Sequence, residues 1–205
     1  MINTISQWSP LLVISVGLYY CHLWEKGLKA LFYLYLLAIV FEVINEIFGG
    51  LSIIYNLWTP IEVGFLLYIY SQWSDFNYRA IFIIYGIVWI MIKLSGFESW
   101  QGAEIDSLSL VFASIIFIII PTNVHNIKPY QRFFMVLMAI YFGGCLVLFL
   151  TINVFEDKAL AWQIHSFFNI FAAIGSAAVY FIRNNAIELT NRSSISDKFS
   201  AICEE

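Results

Sequence analysis

Glu42, Asn45 and Glu46 fall at i, i+3 and i+4, the spacing that brings three side chains to one helix face. Asn56, Thr59 and Glu62 share an arc of ~120° on a second helix, with Pro60 freeing a backbone carbonyl beside them. A third stripe carries Trp162, His165, Asn169, Ser176 and Tyr180. Beside it lie Ala172, Ala173, Gly175 and Ala177, small enough to let helices approach closely. Carboxylates, carboxamides and an imidazole on facing stripes are groups that hold cations, pass protons or recognise hydroxyl-rich solutes. Which of these they do depends on the solvent around them.

That solvent is lipid. The chain of 205 residues is 61% hydrophobic and 12% charged, with Phe 19, Tyr 12 and Trp 7. Ordinary soluble domains are about 45–50% apolar and about 25% charged. A protein of 23.7 kDa with a mean hydropathy of +0.81 lacks the interior volume to hide so much apolar surface from water. The net charge of -4 and the absence of a basic run exclude a nucleic-acid partner. Cys21, Cys145 and Cys203 are too scattered for a disulfide framework or a zinc site. No phosphate-binding glycine loop or serine nucleophile elbow is present, and no cofactor or metal is expected.

The elements that position the polar stripes are therefore transmembrane helices, since backbone in lipid must satisfy its own hydrogen bonds. Apolar stretches close to the ~20 residues needed to span the hydrocarbon occur at 8–24, 28–48, 51–71, 79–97, 105–121, 130–152 and 159–182. The expectation is an all-α bundle of about seven spans over residues 1–182, followed by a polar tail at 183–205. The first span lacks a positive leader and is expected to be retained. Local likeness between 36–41 and 137–142, and between 55–57 and 168–170, is the pattern of two three-helix repeats joined by the fourth span.

Charge sets the orientation. The ends of the odd-numbered spans share Lys26, Lys29, Arg79, Lys128, Arg132, Arg183, Arg192 and Lys198, eight of the ten basic residues, against Lys93 and Lys158 opposite. The positive-inside rule then places the N-terminus outside and the C-terminus in the cytoplasm of a cell in whose inner or plasma membrane the chain sits.

At 1.5 Å per residue the polar stripes lie in the outer half of the bilayer or at its midplane, with Glu62 about 16 Å deep. A carboxylate there costs at least ~2.5–3.5 kcal/mol on insertion scales, so it marks a site by default. Glu42 and Glu62 are the strongest candidates, with Glu46, Asn45, Asn56, His165 and Asn169 completing an outward-facing acidic pocket. Only Lys93 among the basic residues lies near enough to pair with one of the glutamates. The carboxyls must then be neutral, pair with a charged His165, or hold a cation.

Seven spans with an external N-terminus also describe retinal proteins and small sugar carriers. The last span has no central lysine for retinal, and no Pro-Gln pair marks the sugar carriers. The leading expectation is a carrier of a small polar or cationic solute, coupled to a proton or cation. The alternative is a receptor-like or accessory protein that binds a ligand, an oligomeric mate or a partner membrane protein and signals through its cytoplasmic loops. An intramembrane enzyme ranks third.

Overall fold

The computed structural model describes residues 2–48, 52–73, 78–94, 127–151 and 158–203. Among the described residues every regular element is helical: α1 (Ile2–Trp8), α2 (Pro10–Tyr19), a 3-10 turn (Cys21–Leu23), α3 (Lys26–Ile47), α4 (Ser52–Trp73), α5 (Tyr78–Leu94), α6 (Pro129–Thr151) and α7 (Lys158–Cys203). Three helices among the described residues are long and apolar enough to cross a membrane, at Lys26–Ile47, Pro129–Leu148 and Ala159–Ile187. Their length and composition mark a membrane-embedded protein. The expected fifth span, and with it the full three-plus-one-plus-three repeat, lies outside the described residues.

Two boundaries differ from the sequence expectation. The first span begins at Ile2 and is divided at Pro10, which opens α2. Proline has no N–H to give the Ser6 carbonyl, and that oxygen accepts instead from the Ser9 hydroxyl at 2.7 Å and the Ser9 amide at 3.2 Å. At the other extreme, the polar segment from Arg183 continues α7 as helix to Cys203. A helix of 46 residues is about 69 Å long, more than twice the hydrocarbon thickness, so α7 runs well past the bundle.

The helices pack in an order that surrounds a common interior. α7 lies between α6 on one side and α1 and α2 on the other; α3 packs on α2 and α4, and α5 lies outermost against α4. The α6–α7 seam is close because Gly175 leaves no room for even a Cβ beside Leu137. Ala172, Ala173 and Ala177 are buried along the same helix. Aromatic rings close the circle between α4 and α6, with Trp73 and Phe134 at 5.5 Å and Tyr70 and Phe134 at 6.3 Å. On α5, Ile83, Ile84, Ile87, Ile90 and Met91 are each more than half exposed, which is stable only against lipid or another apolar surface.

Candidate functional site

Polar groups meet at two levels of the bundle. The first is central. Tyr35 lies about 14 Å along α3 from its start, and Tyr141 about 18 Å along α6, both near the middle of a ~30 Å span. The Tyr35 hydroxyl is paired with Ser176 Oγ at 2.8 Å and donates to the Ala172 carbonyl at 3.3 Å, tying α3 to α7. Tyr141 donates to Asn169 Oδ1 at 2.9 Å, and Asn169 Nδ2 lies 3.5 Å from His165 Nδ1. Glu62 on α4 sits close enough to Tyr35, Tyr141 and Cys145 to interact electrostatically with all three. Cys145 stands one turn beyond Tyr141 on the same helix, close enough for the two to interact electrostatically.

Glu62, Asn169 and His165 thus belong to one polar neighbourhood built from α3, α4, α6 and α7. Glu42 and Glu46 lie farther along α3. Glu42 faces the like charge of Glu46 on its own helix. By helical rise they lie about 10 and 16 Å farther along α3 than Tyr35. Asn45 is buried and Glu46 exposed, so the three-residue stripe of α3 straddles the bundle surface. The side chains of Asn56 and Lys93 lie outside the described residues. Among the described residues no group of three His, Cys, Asp or Glu is placed to hold a metal.

Tyr35, Tyr141 and Cys145 were not read as site residues from the sequence. Tyr35 could have been: extending the Glu42–Ala38 stripe back one turn reaches it. Tyr141 and Cys145 stand at i and i+4 on an otherwise apolar helix, a spacing that only a polar neighbour on another helix makes meaningful.

The second level is one end of the bundle, and Glu25 is its hub. It precedes α3 in extended backbone, φ −81° and ψ 167°, which aims its side chain across the bundle end instead of along the helix. Its Oε1 accepts from Trp73 Nε1 of α4 at 2.9 Å and from the Tyr130 hydroxyl of α6. Its Oε2 lies 4.0 Å from Arg183 Nη2 of α7, whose guanidinium stacks 5.3 Å from the Tyr130 ring centre. Gln131 donates to Tyr130 at 3.2 Å and accepts from the Lys128 amide at 2.8 Å. Gly27 permits this closure, because any Cβ there would overlap the Trp73 indole.

A cavity of about 360 Å³ opens beside this hub, lined by Glu25, Lys26, Gly27, Gln72, Trp73, Lys128 and Gln131. It lies at the end opposite to Glu42 and Glu46. The described cavity is thus of mixed charge, and Glu25, read from the sequence as punctuation between spans, forms its wall. Between the two levels Leu31, Leu66, Leu67 and Phe134 are at most 1% exposed and make an apolar layer.

The chain matches no protein-family model, no curated protein and no solved structure.

Proposed function

We propose that the chain is a small carrier in the inner or plasma membrane, a bundle of seven spans with its N-terminus outside, coupling a proton or cation to movement of a small polar solute. The observation that supports this reading is the central cluster, in which Glu62 lies within electrostatic range of Tyr35, Tyr141 and Cys145 while Tyr141 leads through Asn169 to His165. An ionisable carboxyl at mid-membrane, next to a run of hydroxyl, amide and imidazole groups on other helices, is the arrangement proton-coupled transporters use. The Glu25 hub fits the same reading as a gate, since it ties four chain segments together at one end.

The test is electrical. Proteoliposomes on a solid-supported membrane are challenged with a panel of small amines, amino acids and sugars under a pH gradient. The carrier gives a solute-dependent transient current, and Glu62→Gln, which keeps shape and hydrogen bonding but cannot ionise, folds yet loses it. Normal currents from Glu62→Gln assign that residue a packing role.

A receptor-like or accessory protein is the second reading, and the buried apolar layer of Leu31, Leu66, Leu67 and Phe134 favours it. A sensor needs no path across the bundle. No current with any panel member, together with solute-dependent changes in thermal midpoint, supports the sensor.

A further inference from the structure

We propose that the cavity between the start of α3, the end of α4 and the start of α6 binds an anionic phosphate group, held by the ammonium groups of Lys26 and Lys128. The inference needs only the membrane-embedded bundle and stands whether the chain carries or senses.

The charges that line the cavity do not cancel. Glu25 is its one carboxylate, and that group is already engaged by Trp73, Tyr130 and Arg183. Lys26 and Lys128 share the same wall, and among the described residues neither forms an ion pair. Beside them Gln72 adds a carboxamide whose Nε2 donates to Ser71 at 3.2 Å. The surplus in the cavity is therefore positive, and an acceptor-only group complements it.

Hydrogen bonds tie down the backbone that carries the two exposed lysines. Gln131 is 5% exposed and fixes the backbone at Lys128 by accepting its N–H at 2.8 Å, while its own amide is anchored on Tyr130. Lys26 opens α3 directly after Glu25, which the Trp73 and Tyr130 bonds hold in place. Both lysines are thus carried on ordered backbone, and little ordering of the main chain remains to oppose binding.

Location favours phosphate over other anions. α3 starts, α4 ends and α6 starts at this level, so the cavity lies where the spans leave the hydrocarbon. That depth is the phosphate plane of a bilayer, and basic pockets between transmembrane helices take anionic headgroups there. A free phosphate from the aqueous side offers the same oxygens to the same lysines.

The experiment separates the two sources and the trivial explanation. Full-length protein in nonionic detergent is titrated with phosphatidylglycerol and with phosphatidylcholine, read by native mass spectrometry, and with inorganic phosphate, read by thermal midpoint. Selective retention of phosphatidylglycerol that weakens about fivefold for each of Lys26→Gln and Lys128→Gln supports the site and a lipid source. Stabilisation by inorganic phosphate that the same variants lose supports the site and a soluble source. Lys29→Gln is the control, since Lys29 stands over the Tyr33 ring at 5.9 Å and does not line the cavity. The proposal is overturned if neither probe binds, or if phosphatidylcholine binds as well as phosphatidylglycerol. Unchanged binding in both variants, or an equal loss in Lys29→Gln, overturns it as well. Should one variant fail to fold, the other alone decides. Because the readout is binding, a failed transport assay leaves this result intact.

Discussion

Trp73 donates its indole N–H to Glu25 at 2.9 Å across 48 positions of sequence, joining the last residue of α4 to the residue that launches α3. The same carboxyl holds Tyr130 and faces Arg183, so one side chain ties together four parts of the bundle. Such convergence concentrates stability at a single group.

Removing that group should therefore weaken the whole bundle. Glu25→Ala deletes a charged acceptor with two donors, and hydrogen bonds to charged groups contribute about 1.5–3 kcal/mol. The ion pair with Arg183 adds little, because both side chains are about a quarter exposed, at 27% and 23%, and the pair is screened. A fall of several degrees in thermal midpoint in detergent is expected, with Glu25→Gln less affected because one acceptor oxygen remains. An unchanged midpoint for Glu25→Ala would show that the hub is decorative.

Gly27→Ala probes the same closure from the steric side. Replacing a helical glycine by alanine ordinarily gains about 0.5–1 kcal/mol. Here the new methyl overlaps the Trp73 indole, and overpacking costs about 1–3 kcal/mol. The net effect should be destabilising, with Trp73 displaced from Glu25. A variant that melts higher than the parent contradicts the placement of Trp73 over Gly27.

At the centre, Tyr141 and Asn169 should be energetically coupled through their 2.9 Å hydrogen bond. A double-mutant cycle with Tyr141→Phe and Asn169→Ala is expected to return about 0.6 kcal/mol, the average for such bonds within membranes, and at most about 1.7 kcal/mol. Strict additivity of the two single changes would place the residues out of contact.

Cysteine labelling checks the orientation. Cys21 is exposed in the turn just before Glu25. α7 passes Glu25 at Arg183 and continues as helix to Cys203, so positions 21 and 203 belong to the same end of the bundle. In single-cysteine variants, an impermeant maleimide applied to intact cells should label neither, and permeabilised cells should label both. Labelling of Cys21 from outside reverses the proposed orientation, and opposite behaviour of the two thiols breaks the shared end.

Composition and periodicity by themselves pointed to helices in lipid, because the apolar stretches lack the alternation of barrel strands and a helix satisfies its own backbone there. The polar stripes were also legible, since a 3.6-residue repeat assigns Glu42, Glu62, His165 and Asn169 to helix faces without knowledge of neighbours. Which stripes meet was not. Periodicity fixes a face on one helix but says nothing of which helix stands opposite, and only the packing of α6 on α7 brings Asn169 to Tyr141. Only the tertiary structure made Glu25 the hub: in sequence it sits in a charged break between spans, and its partners lie 48 and 105 positions downstream. A single carboxylate gains those partners through the crossing of helix ends, a relationship of three-dimensional packing that no local window of residues contains.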